Sequence, residues 1–248
     1  MGSEKLNQAT ILLVEGITEE KLYIKLLEKL YNTKRIKFTE LPPPIKSLLE
    51  PLEKRTTNMI IEENSREKYL ALIQCGGYEN IKGMLRMLLK RRELVEALKQ
   101  TRFNIIVAAD LDKDPIKSIK DTVASLHLPV EARNNHIAVK VQGQNLNIRI
   151  IQQGYKKPGA TGQIEDNLEG LLKTLYPELI EAIKVIEETT KEKLDSKQKL
   201  LIYLALLEQK PKIRNLYETI GKHLEKANIN QLHSLGNIVQ ELTTYIDM

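Results

Sequence analysis

The sequence predicts an α/β fold, a mainly parallel sheet flanked by helices, with a C-terminal α-helical subdomain. Three observations carry that expectation. Over the first two-thirds of the chain, apolar runs ending in glycine or acidic residues alternate with segments of helical period. From about Glu165 onward no strand signal remains. The chain has 248 residues, 42% hydrophobic and 29% charged, which suffices for one large domain, or one domain and a smaller one, around a sizeable core.

The elements follow in order. "ATILLVEG" is an apolar strand ending at Gly16, and "ITEEKLYIKLLEKLY" sets Leu22, Ile24, Leu26, Leu27 and Leu30 at mostly helical spacings, with Thr18 as its N-cap. "YLALIQCGG" is a second strand, and "ENIKGMLRMLLKRRELVEALKQ" one long helix after it. "NIIVAADLD" is the third strand of this series and the most hydrophobic; "PIKSIKDTVASLH" then begins a helix with proline at its first position. "HIAVKVQG" and "NLNIRIIQQG" form a hairpin-like pair. These elements make residues 1–164 an α/β domain. Within it, residues 33–66, with "LPPPIKSLLEPLEKR" and the polar "EENSREK", break the rhythm and read as an insertion, a lid or a partner contact. Residues 165–248 form the helical subdomain, and no long linker separates it from the α/β part. Its "KQKLLIYLALLEQ" is apolar enough to pack on the core or to form a homodimer.

Composition excludes several classes. No apolar run approaches the roughly 20 residues that span a bilayer, and the polar start lacks a signal-peptide core, so the expectation is a cytoplasmic protein with no membrane partner. A single cysteine, Cys75, precludes an intramolecular disulfide and a cysteine-based zinc site. No G-x-x-x-x-G-K-[ST] occurs, so no P-loop is expected. The four histidines, His127, His136, His223 and His233, show no metal spacing. "DLDKD" faintly resembles the haloacid-dehalogenase phosphatase motif, but its late position and Lys113 argue against that reading. A net charge of +5 mildly favours an anionic partner. The Lys/Glu/Ile-rich composition suits a thermophile.

Two acidic motifs fall at strand ends, where parallel sheets place their ligands. The first strand ends in Glu15, with Glu19 and Glu20 on the following helical turn; the third ends in Asp110, Asp112 and Asp114. Alternate residues of an extended chain lie roughly 6.6 Å apart. Two carboxylates at that distance repel by about 2–3 kcal/mol at an effective dielectric near 20. A cation relieves that cost, and oxygen ligands with no His or Cys nearby select a hard one, Mg²⁺ or Mn²⁺. The plainer alternative for a D-x-D after a strand is a loop turn or a helix cap, and Asp114 before Pro115 reads as such a cap.

The combination of "ILLVEGITEE" with "IIVAADLD" resembles the Toprim family, shared by topoisomerases, primases, recombination proteins, RNA-maturation nucleases and OLD-family nucleases. The likeness covers roughly residues 8 to 155, interrupted by the proline-rich segment, and "LIQCGGYENI" resembles the second-strand turn of OLD-like and archaeal stand-alone members. It implies metal-dependent phosphodiester chemistry on DNA or RNA, as a nuclease in repair or RNA processing. Glu15 would be the general acid or base, or a bridging ligand; Asp110 and Asp112 would hold the metal, and Glu19 would serve a second one. Asp114 and Glu20 stand beside this set, Asp114 as a further candidate metal ligand. Glu165 and Asp166 either join as downstream ligands or are acids favoured by a helix N-terminus. Arg86 and Lys90 share a helix face, and with Lys113, Lys156 and Lys157 they are candidates to track a nucleic-acid backbone, or else a solvated surface. The competing expectation is a non-catalytic nucleic-acid-binding module of a larger assembly.

Overall fold

The computed structural model describes residues 8–63, 66–155, 160–207 and 216–247. Its α/β class is the expected one. The elements are β1 (Gln8–Val14), α1 (Ile17–Leu30), β2 (Thr33–Arg35), α2 (Pro43–Leu49), β3 (Thr56–Glu63) and β4 (Arg66–Gln74). Then come α3 (Tyr78–Lys90), α4 (Arg92–Gln100), β5 (Arg102–Asp110), α5 (Pro115–Ala124), β6 (Val130–Arg133), β7 (His136–Val141) and β8 (Gln144–Gln153). The remaining helices are α6 (Ile164–Leu175), α7 (Leu179–Thr190), α8 (Ser196–Leu207), α9 (Leu216–Lys226), α10 (Ile229–Leu232) and α11 (Asn237–Asp247). Two compact units result: Met1–Glu20, Leu30–Ala109 and Asp114–Ile151 make the first, and Lys21–Lys29, Asp110–Lys113 and Gln152–Met248 the second.

In the first unit the strands make one sheet in the order β2-β3-β4-β1-β5-β8-β7-β6. The centre of the sheet is parallel, with β1 lying between β4 and β5. On the flanks β2, β3 and β4 pair antiparallel, as do β6, β7 and β8, so the sheet is mixed. The three central strands read as continuous apolar runs because both faces are buried. One face contributes Ile11, Leu13, Ala71, Ile73, Ile105 and Val107 to the core cluster, and the alternate residues Leu12, Leu70, Leu72 and Ile106 are also at most 1% exposed. The β7–β8 hairpin is tight: Val141 pairs with Gln144 across Gln142 and Gly143, whose φ of 47° and 84° are what a type I′ turn requires.

Two sequence expectations change here. The described part of residues 33–66 belongs to the sheet and core: β2 and β3 extend the sheet, and α2 buries Ile45, Leu48 and Leu49. The proline run starts that helix, since Pro43 at its first turn has no N–H that the helix would leave unused. The long helix after β4 is two helices. Arg91 is extended, with φ −80° and ψ 135°, and its guanidinium donates to the Ser47 carbonyl and to Glu93. The break lets Leu94, Val95 and Ala97 of α4 turn into the core.

The second unit is helical. Ile164, Leu168, Leu171 and Leu172 form the apolar stripe of α6 at i, i+4, i+7 and i+8, and all are at most 3% exposed. Around it the buried residues are Leu200, Tyr203 and Leu204 of α8, Ile220 and Leu224 of α9, and Ile238, Val239 and Leu242 of α11. Each such side chain contributes roughly 1.5–3 kcal/mol by leaving water. Lys29 of α1 donates to the Leu224 and Glu225 carbonyls at 2.9 and 2.7 Å, closing the end of α9, and Lys25 pairs with Glu225 at 2.7 Å. Among the described residues no helix is long and apolar enough to cross a membrane.

Candidate functional site

Because β1 and β5 are neighbours and parallel, both end at the same, carboxyl, edge of the sheet. In the first unit that edge is a sewn pair of turns. The Glu15 carbonyl accepts the N–H groups of Gly76 and Gly77, both at 2.9 Å, and the Val14 carbonyl accepts that of Cys75 at 3.0 Å. Gly76 and Gly77 have φ of 80° and 124°, which explains the glycine pair after β4. Gly16 donates its N–H to Glu19 Oε2 at 3.0 Å, and its carbonyl accepts from Glu20 N. Glu19, 6% exposed, therefore closes the first turn of α1. Helix α1 begins at Ile17, so Thr18 lies inside it and Gly16 takes the cap position. Glu20 accepts from the Thr57 hydroxyl at 3.0 Å.

Asp114 also belongs to this unit. It occupies the N-cap position of α5, but in a left-handed conformation, φ 45° and ψ 60°, and its side chain makes no cap hydrogen bond. The expected Asx-type cap is thus replaced by the Asp114 carbonyl, which accepts from Ser118 N at 3.1 Å. Burial raises the Tyr78 hydroxyl pKa; a hydrogen bond with Ser118 opposes this, and the carboxylates of Glu79, Asp114 and Glu15 add to it.

The end of β5 lies in the second unit. Asp110, 8% exposed, accepts the backbone N–H of Ile164, the first residue of α6, on Oδ1 at 3.0 Å. Asp112 donates its own N–H to the Gly162 carbonyl at 3.1 Å. Its Oδ2 accepts from the Gln163 side-chain amide at 3.2 Å, with Lys113 Nζ at 3.3 Å. The D-x-D pair thus meets the start of α6, at the negative charge a helix N-terminus favours.

Asp166 is the residue the sequence reading undervalued. Its carboxylate accepts from Thr161 N and Oγ1, Gly162 N and Tyr155 N at 2.8–3.2 Å. Burial pushes its pKa up, but the Ser196 hydroxyl and these N–H groups outweigh burial and hold it below the usual carboxylate range. Asn167 works beside it, accepting from Gly154 N at 2.6 Å and donating to the Leu235 carbonyl at 2.8 Å. A carboxylate at the third position of a helix, just after a glycine-containing loop, was the available signal. Glu165, half-buried beside it, has no part in this clamp.

Arg86 and Lys90 are exposed on one face of α3, and Lys156 and Lys157 lie outside the described residues. The acidic residues offer only oxygen, the donor chemistry of a hard cation. Among the described residues, however, no three Asp, Glu, His or Cys side chains are arranged to hold an ion.

Fold and edge define a class: an α/β protein whose mixed sheet is parallel at its centre and acidic at its carboxyl edge. The chain belongs to the DUF3226 family of proteins of unknown function, whose profile matches residues 9–244. It is similar in fold to the crystal structure of a hypothetical protein from Pyrococcus horikoshii OT3, with a TM-score of 0.63 and 18% identity over 96% of this chain and 97% of that one. A fosfomycin resistance protein from Listeria monocytogenes matches at a TM-score of only 0.17 and 9% identity, over 60% of this chain and 93% of that one. No curated protein matches the chain.

Proposed function

We propose that this is a Toprim-like, Mg²⁺- or Mn²⁺-dependent cytoplasmic protein that cuts or nicks nucleic acid. The observation that carries the reading is the parallel pairing of β1 with β5, which brings the end of the strand before Glu15 and the end of the strand closed by Asp110 to one edge of the sheet. Asp110 and Asp112 would hold the cation with Glu15, and Glu19 would join if a second ion binds. The cation would neutralise phosphate charge and acidify a bound water. Glu15 would carry the proton: as a base it takes one from the attacking water, whose oxygen bonds to phosphorus as the P–O ester bond breaks, and as an acid it returns one to the leaving oxygen. Arg86 and Lys90, exposed on one helix face, would hold the backbone of the substrate.

A second reading is a non-catalytic nucleic-acid-binding module. It is favoured by the use already made of Asp110 and Asp112, which hold the start of α6, and by the lack, among the described residues, of three assembled ion-binding side chains. Labelled single- and double-stranded DNA and RNA, incubated with Mg²⁺ or Mn²⁺ and then with EDTA, separate the two. Cleavage that EDTA stops and Asp110→Asn abolishes supports the enzyme. Binding without cleavage on all four substrates, unchanged in Asp110→Asn, overturns it in favour of the module.

A further inference from the structure

We propose that the polar face of the β6–β7–β8 meander is a docking surface for a single nucleic-acid strand. The proposal rests on nucleic acid as the partner, as both readings of the proposed function do, and needs no metal. Strand register builds the surface. Arg133 of β6 stands directly opposite His136 of β7, and His136 opposite Arg149 of β8, so three basic side chains form one row across the strands. Lys140 opposite Asn145, and Ala138 opposite Asn147, continue the same face. The alternate residues Ile137, Val139, Leu146 and Ile148 belong to the core cluster. On the polar face Arg133, Lys140 and Asn145 are exposed, and His136, Asn147 and Arg149 are half-buried.

Such a row does nothing for the sheet by itself, because like charges brought together across strands destabilise it. The two arginines stand about 10 Å apart, two strand spacings, and Glu131 is the only acidic residue in the three strands. Edge strands carry charges that block pairing with other chains, which accounts for Glu131 and Arg133 on β6, the end of the sheet. It does not account for Arg149, since β8 lies between β5 and β7. A polyanion laid on the row offsets the repulsion. Lys140, four residues along β7, extends the cationic surface by about 13 Å from His136. His136 Nε2 donates to Asn147 Oδ1 at 2.9 Å, which fixes both side chains, while the exposed Asn145 amide can meet the base edges that an unpaired strand presents. No Phe, Tyr or Trp occurs in β6, β7 or β8, so the bases have no stacking platform there. Affinity must therefore come from phosphate contacts and fall steeply with salt.

The test uses the full chain in EDTA, which keeps metal-dependent cleavage out of the measurement, and reads binding of a fluorescein-labelled oligothymidylate by anisotropy over a range of salt concentrations. Each lost phosphate contact should lower the slope of log affinity against log salt by about 0.7, or about fivefold in affinity at 0.1 M salt. Arg133→Gln should show that loss, and Arg133→Gln combined with Lys140→Gln about twice the change in slope. Lys120→Gln, which removes an exposed charge from α5, should leave the slope as it is. All these side chains are exposed, so the variants should melt with the wild type. If the double variant keeps the wild-type slope, or Lys120→Gln lowers it equally, the docking surface is overturned while nucleic acid stands as the partner. If the wild type binds no strand even at low salt, the partner fails and the docking surface with it.

Discussion

Gly154 and Gly162 approach so closely that a Cβ on Gly154 would stand 2.3 Å from the Gly162 carbonyl carbon and 2.4 Å from Gln163 N. Backbone, not a flexible side chain, fills the space. Gly154 also has φ 85°, a conformation that costs an L side chain further. Gly154→Ala is therefore expected to destabilise the fold by about 3 kcal/mol or more, read as a fall in the urea midpoint with unchanged slope. Gly83→Ala is the control: nothing lies within 4 Å of its Cβ position in the exposed face of α3, and it should stabilise by about 0.5–1 kcal/mol.

Asp166 predicts an acid-sensitive segment. Its folded pKa is held down by the Ser196 hydroxyl and by backbone N–H groups against the opposing effect of burial. The stability this contributes is fully present above the unfolded value of about 3.9 and is lost as pH falls through the lower folded value. The urea midpoint of the wild type should thus drop below about pH 4 more steeply than that of Asp166→Asn. At neutral pH, Asp166→Ala should cost about 2–4 kcal/mol, because it leaves the buried N–H groups of Gly162 and Thr161 without their acceptor. Equal acid slopes for wild type and Asp166→Asn would remove Asp166 as the cause.

Cys75 is fully buried, and its thiol is pushed up to about 12, mainly by burial, with Glu15 adding to the rise and Arg55 and the Val14 backbone opposing it. At neutral pH it should react with a thiol reagent only when the sheet opens. The expected outcome is no modification of the native chain within hours and one equivalent at once in 6 M guanidinium. Rapid native reaction would mean that the turn joining β4 to α3 opens locally.

What the sequence revealed follows physical lines. The central strands were legible because they are buried on both faces and so read as unbroken apolar runs. β2 and β6, of three and four residues with mostly half-buried or exposed side chains, leave no such signal. The break at Arg91 was invisible because Arg91 is as good a helix former as its neighbours; a tertiary bond to Ser47 stops the helix there. Glu15, Asp110 and Asp112 could be placed from strand ends alone. The partners of Asp110 and Asp112 could not, since the donors at Ile164 and Gln163 come from a distant helix start whose position depends on the fold.

Glu15 and Asp110 should separate in their effects on stability and activity. The turn after β1 is tied to the Gly76–Gly77 turn through the Glu15 carbonyl, which substitution of the side chain leaves in place. Asp110 Oδ1, in contrast, holds the Ile164 N–H directly, so its neutralisation weakens a charge-assisted bond. Glu15→Gln is expected to melt within about 2 °C of the wild type, whereas Asp110→Asn falls by about 2–4 °C, corresponding to roughly 1 kcal/mol for a chain of this size. If Glu15 carries the proton in phosphodiester cleavage, Glu15→Gln loses about 10²–10⁴-fold in rate despite its intact fold. Thermal melts beside cleavage assays on the same preparations check both. A Glu15→Gln variant that melts normally and cleaves at the wild-type rate would take Glu15 out of the reaction.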